Sequence, residues 1–254
     1  MKSFISFVII GFILLITTSA SESKSLHSSP IKNVVLVHGA FVDGSGWEGV
    51  YKELSKQGYK VSVTQHTLLS LDTDVAAVNR ILDQQDGPTI LVGHSYGGVV
   101  ITVAGNHPKV AGLVYIAAHA PNANESRADL FKEYPPAYKS LIKGTDGMDY
   151  INPDKFPTDF AGGVPSEKAN FMAISQTPTA DVCFQATVQN PAWKNKAVWY
   201  MVAKSDRIIN PDLERFYAKR ANAKKTVEVE GASHCVFMTH PKVAANLIME
   251  ATRE

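Results

Sequence analysis

The stretch ILVGHSYGGVV, Ile90 to Val100, places a serine between glycines directly behind an apolar run. A Gly-x-Ser-x-Gly pattern alone carries little weight: with glycine and serine each near ~7% of residues, chance supplies one in roughly a tenth of chains this long. Its flanks decide the reading. Upstream, TILV (Thr89 to Val92) reads as a buried strand, and downstream VVITVAG (Val99 to Gly105) continues as a helix. Ser95 therefore falls in a strand–turn–helix, the arrangement that exposes a nucleophilic serine at the top of an α/β sheet. A serine in so tight a turn needs neighbours without a Cβ, or the helix cannot approach the strand. The first helical turn also aims unpaired N–H groups, that of Tyr96 among them, at the oxygen of any carbonyl the serine attacks.

Outward from this stretch, short apolar runs alternate with helical patterns, the signature of a parallel sheet buried on both faces. The runs predict six strands: Val34 to Val37, Val61 to Thr64, Thr89 to Val92, Gly112 to Ala117, Val198 to Val202 and Thr226 to Val229. Trp47, Val50, Tyr51 and Leu54 recur at helical spacing and stop at Gly58; DTDVAAVNRILDQQDG begins on an Asp cap and ends at a glycine. From 121 to 196 the rhythm breaks. Prolines, glycines and aromatics (Phe131, Tyr134, Tyr138, Tyr150, Phe156, Phe160, Phe171, Phe184, Trp193) accumulate there without a clear strand. A segment this long in a compact domain reads as a lid, with most of its aromatics forming a small core of its own.

A serine hydroxyl needs a base within hydrogen-bond reach and a carboxylate that orients the base. Eight histidines compete. His38 and His94 sit inside turns and read as structural; His27 lies in a polar N-terminal stretch; His66, His107 and His240 look like surface or helix-end residues. His119 ends a strand and suits a pocket wall, together with Phe41. His234, in TVEVEGASHC, occupies a short loop between the last strand and a helix starting at Pro241, where a base can reach over the serine turn. Asp206 follows the preceding strand in the same way, at the carboxyl ends where α/β sheets build their sites. Asp212 is its rival, but it opens the helix PDLERFYAKRA, where an acid favours the helix N-terminus. After the first strand, His38-Gly39-Ala40 turns the backbone so that the Ala40 N–H and the Tyr96 N–H face one point, an oxyanion hole.

With 254 residues, 45% hydrophobic and 19% charged, the chain fits a single large domain. Residues 1–20, MKSFISFVIIGFILLITTSA, read as a cleavable export signal ending in small residues, although the apolar run approaches the length of an uncleaved anchor. Residues 21–30 form a Ser-rich tether, and 31–254 the domain, with 121–196 as its inserted lid. The predicted location is secreted or periplasmic. Removing the signal takes the formal charge from +1 to 0, since Lys2 is its one charged side chain. A neutral chain has no electrostatic attraction for nucleic acid, and no stable membrane association is expected after cleavage. Cys183 and Cys235 either pair, pinning the lid to the His234 loop, or remain two small buried hydrophobes. Their spacing offers no metal site.

Val34 to Gly44, Gly93 to Gly98, Ser205 to Arg207 and Gly231 to His234 resemble the α/β-hydrolase superfamily over nearly the whole mature chain. VHGAFVDGSGW and GHSYGG are similar to the branch of plant methylesterases, hydroxynitrile lyases and small carboxylesterases. The resemblance implies an α/β-hydrolase fold: a mostly parallel sheet flanked by helices, with an inserted lid. The superfamily's eight strands would here be reduced to six, lacking the first two. It also implies a Ser95–His234–Asp206 triad in the chain order Ser, Asp, His. Hydroxynitrile lyases of this branch carry a lysine after the catalytic histidine and a threonine in the first loop; Cys235 and Ala40 stand there instead. Ser95 also excludes dehalogenases, which need an aspartate at that position.

The expected activity is hydrolysis of a small apolar or aryl carboxylic ester through an acyl-enzyme, with neither cofactor nor metal required. Two alternatives use the same fold: a ligand receptor with negligible turnover, and acyl transfer to an alcohol or amine.

Overall fold

The computed structural model describes Met1 and residues 31–253, so the segments expected to be an export signal and a tether, with His27, lie outside the described residues apart from Met1. Six parallel strands form the main sheet: β1 (Asn33–Val37), β2 (Lys60–Val63), β3 (Thr89–Ser95), β4 (Val110–Ala118), and, after the lid, two more. The lid contributes β5 (Leu141–Lys143), β6 (Met148–Ile151) and β7 (Thr179–Ala180), after which β8 (Ala197–Ala203) and β9 (Lys225–Val229) complete the sheet. The spatial order is β2-β1-β3-β4-β8-β9. Among the described residues nothing precedes β1 in this sheet, as the six-strand expectation requires.

Period-two alternation divides the strands between two cores. Val35, Val37 and Leu91 face a cluster shared with the lid, while Val34, Leu36, Ile90 and Val92 face one that holds Trp47, Phe237 and Ile248. The helices, in chain order, are α1 (Glu48–Lys56), α2 (Leu71–Asp83), α3 (Gly97–Ala104), then α4 (Arg127–Glu133), α5 (Phe156–Asp159), α6 (Ser166–Ile174) and α7 (Asp181–Gln185) in the lid. After the lid come α8 (Pro211–Arg220), α9 (Val236–Thr239) and α10 (Pro241–Ala251). Helix α1 buries Trp47, Val50 and Leu54 as its spacing predicts, but Tyr51 is exposed. The cap of α2 is Ser70, whose hydroxyl accepts the Thr73 N–H, rather than the expected Asp.

The lid departs from its sequence reading in two ways. It contains the small antiparallel sheet β5-β6-β7, absent from the six predicted strands. Its buried aromatics, Tyr138, Phe156, Phe160, Phe184 and Trp193, join the main core on one face of the large sheet instead of forming a separate one. The lid is also tied to the loop after β8: Arg207 Nε donates to Asp159 Oδ1 at 2.8 Å, and Ser140 Oγ donates to Asp159 Oδ2 at 2.6 Å.

Candidate active site

Ser95 ends β3 with φ +53°, a left-handed value that a side chain tolerates only when its surroundings enforce it. The enforcement is visible. A register shift between His94 and Ser95 breaks the pairing of β3 with β4, and Tyr96 begins the helical turn at φ −56°, ψ −31°. Helix α3 then comes so close to the sheet that a Cβ on Gly97 would lie 2.5 Å from the His38 carbonyl oxygen.

Asp206 and His234 meet across 28 residues of chain. His234 Nδ1 lies 2.6 Å from Asp206 Oδ2, and both side chains are fully buried. A carboxylate only accepts, so Nδ1 carries the proton and Nε2 presents its lone pair. Asp206 Oδ1 is occupied by the N–H groups of Ile208 and Ile209 at 2.7 and 3.0 Å, which fixes the carboxylate in turn. Nε2 of His234 is buried and has no hydrogen-bond partner among the described residues. The bond from Ser95 Oγ to that nitrogen is therefore unmade, a frequent condition before substrate binds. Asp212, the rival carboxylate, is exposed and pairs with Arg215 in the first turn of α8.

Behind Asp206 lies Glu214, fully buried, whose Oε2 accepts the Ala203 N–H at 3.0 Å. Burial first, and the neighbouring Asp206 charge second, push its carboxyl well above the usual range. A neutral Glu214 leaves the charge of the pair on Asp206, facing the imidazole.

Ala40, Tyr96 and Ser95 line one cavity, with Phe41 and His119 also on its wall. The Phe41 N–H is taken by Thr179 Oγ1 at 3.1 Å, while the Ala40 and Tyr96 amides donate none of the turn and loop hydrogen bonds among the described residues. Tyr96 is braced from its far end, its hydroxyl donating to Asp74 Oδ2 at 3.0 Å. The cavity holds about 20 Å³, room for roughly one water. A neighbouring groove of about 310 Å³ shares the Phe41 and Phe160 side chains with it.

His38, His66, His94 and His119 form a buried set around the site. His94 Nε2 donates to the His234 carbonyl at 3.0 Å, and His38 Nδ1 donates to the Gly39 carbonyl at 2.9 Å. His66 corrects its sequence reading: it is buried, stacked on His38 at 3.6 Å between ring centroids, and neither ring nitrogen has a partner. Burial lowers the pKa of His38, His66 (to about 2), His94 and His119. A depressed folded pKa stabilises fully above the unfolded value near ~6.5 and the contribution is lost as pH falls below it. Glu214 opposes this, since its raised pKa favours the folded state as pH falls, but the four depressed imidazoles outnumber it. Thermal midpoints measured from pH 8 to pH 5 should hold to about pH 6.5 and then fall steeply. A flat profile down to pH 5 contradicts the assignment of neutral buried imidazoles.

Cys183 and Cys235 are both buried free thiols, so the bridge considered from the sequence is not formed. They line different walls, Cys183 in the Ser95 cavity and Cys235 in the neighbouring groove. Asp74, Thr179 and Glu214 escaped the sequence reading. Each acts by holding a neighbour, and no motif marks such a role.

A profile of the alpha/beta hydrolase family matches residues 34–247, and the chain belongs to that family. It is similar to a carbendazim-hydrolyzing esterase of Nocardioides sp., 34% identical over 127 residues, or 44% of this chain and 52% of that one. It is also similar to methylesterase 7 of Arabidopsis thaliana, 24% identical over 260 residues and covering 86% of this chain and 95% of that one. In fold it resembles polyneuridine aldehyde esterase, with a TM-score of 0.74 at 17% identity over 86% of this chain and 98% of that one.

Proposed function

We propose that the protein is a serine hydrolase of carboxylic esters. The observation that supports this reading is the buried Asp206–His234 hydrogen bond with its unpartnered Nε2, together with a serine held at positive φ whose neighbour His94 donates to the His234 carbonyl. Ser95 Oγ attacks the ester carbonyl and gives its proton to His234 Nε2. The resulting oxyanion accepts from the Ala40 and Tyr96 N–H groups. His234 then protonates the departing alcohol, leaving an acyl-Ser95. Water repeats the sequence: His234 takes its proton, the acyl bond breaks, and the proton returns to Ser95. Each oxyanion donor contributes on the order of 3 kcal/mol to such a step. The apolar walls around Ser95, chiefly Phe41, Phe160, Val99 and Phe184, suit an apolar or aryl ester. With residues 1–20 read as an export signal, the enzyme acts outside the cytoplasm.

A fluorophosphonate should add one phosphonyl group per chain, on the peptide containing Ser95. Folded protein that stays unlabelled, or carries the label elsewhere, overturns the reading.

A further inference from the structure

Two charged side chains line the cavity beside Ser95, Glu125 and Arg127. Glu125 is neutralised, because Arg220 clamps it through Nη1–Oε1 and Nη2–Oε2, each 2.7 Å long. Arg127 has no such partner: it forms no ion pair among the described residues. Its guanidinium carbon sits 3.9 Å from the centre of the Phe184 ring and 5.1 Å from that of Phe131. These cation–π contacts, with a hydrogen bond to the Tyr138 hydroxyl, hold the guanidinium in place while no carboxylate occupies its remaining N–H groups. Phe184 in turn lies 6.3 Å from the Tyr96 ring and 5.6 Å from that of Phe41, so aromatic contacts join Tyr96, one of the two proposed oxyanion donors, to the cation.

This placement costs stability. Arg127 is the first residue of α4, where the helix dipole repels a cation, and burial is the largest influence lowering its pKa. The neighbouring acids Asp149 and Asp181 attract the cation, but neither forms an ion pair with it among the described residues, and burial outweighs them. Asp181 is held by Lys143 at 3.1 Å, and Asp149 is buried, with one oxygen unpartnered and burial pushing its carboxyl up. Tyr138, the other polar neighbour, is uncharged at neutral pH, since burial raises its hydroxyl pKa further. A cation retained in the catalytic cavity against these terms is a candidate for ligand recognition.

We propose that Arg127 binds a carboxylate carried at the far end of an apolar ester substrate, so that the preferred substrates are half-esters of dicarboxylic acids. A single planar guanidinium matches a carboxylate edge to edge, whereas a phosphate dianion calls for more positive charge than the cavity holds. The proposal rests on Ser95 being the nucleophile.

The test compares monomethyl and dimethyl esters of dicarboxylic acids, from glutaric to sebacic, as paired substrates of the full chain. At the best chain length the half-ester should lead in kcat/KM by about ten- to a hundred-fold, as a charged hydrogen bond implies. Arg127→Gln should bring that ratio to about one, while Arg127→Lys, which keeps the charge, should retain part of it. A wild-type ratio of one or less at every length, or a ratio indifferent to Arg127→Gln, overturns the proposal. Calorimetry on Ser95→Ala with the same pairs separates the two readings and does not depend on the Arg127 variants folding. Selective binding of the half-ester without wild-type turnover defeats the esterase reading alone; turnover without charge preference defeats the carboxylate site alone.

Discussion

Ser95→Ala is expected to lose about a millionfold in kcat on a good ester substrate, keeping only what the oxyanion donors and binding supply. The size of the effect follows from the division of labour in the site. In the proposed mechanism His234 Nε2 has one task, to exchange a proton with the attacking oxygen, and deleting that oxygen leaves the base idle. The fold should be spared: Ser95 contributes a small side chain in a turn whose shape is set by Gly97, Gly98 and the β3–β4 register shift. A melting temperature within about 2 °C of wild type is expected for so small a change at an uncrowded hydroxyl. Steady-state assays with the purified variant provide the check, and turnover within tenfold of wild type refutes the assigned role. Ligand binding should survive, which also distinguishes hydrolysis from a receptor role in which turnover is incidental.

The parts of this site that could be read from the sequence were those that obey a rule of chain geometry. The inner strands β1, β3, β4 and β8 are buried on both faces, so each carries an apolar run whose limits fall within a few residues of the observed ones, while the edge strands β2 and β9 are partly exposed and admit polar residues. Asp206 and His234 stood out because each follows a strand at its carboxyl end, and the fold brings such loops together. The lid followed no such rule. Strands β5, β6 and β7 have only three, four and two residues, too short for period-two alternation to register, and they exist because they pair with one another. His66 looked like a surface residue because Gln65 and Thr67 flank it, yet the stack on His38 buries it. Arg127 in ESRADL carries no sequence signal of its own; its significance comes from Phe184, distant in sequence, lying against its guanidinium.

Gly98→Ala should be the most damaging single-methyl change in the domain, for a reason confined to helix α3. A Cβ there would overlap the carbonyl oxygen of His119 and stand 2.9 Å from the Ala118 Cβ and 3.0 Å from the His119 N. The two His119 atoms are backbone, the Ala118 Cβ is fixed to the last residue of β4, and none is free to retreat, since the His119 N–H donates to the Ser95 carbonyl at 3.1 Å and the Tyr200 hydroxyl holds the Ala118 carbonyl. The strain must instead push α3 away from the sheet, taking Tyr96 and its N–H with it. Overpacking a well-filled site costs about 1–3 kcal/mol when side chains can adjust, and a backbone clash should exceed that, a large share of the ~5–15 kcal/mol that holds such domains together. Gly87→Ala supplies the contrast, because its Cβ would meet only the Asn33 Nδ2 at 3.7 Å, an ordinary contact. Urea unfolding of the two variants should place Gly87→Ala within about 0.5 kcal/mol of wild type and Gly98→Ala at least about 3 kcal/mol below it. Equal midpoints for the two would mean that α3 does not press against β4 as described, and the turn would then lack the constraint that holds Ser95 at positive φ.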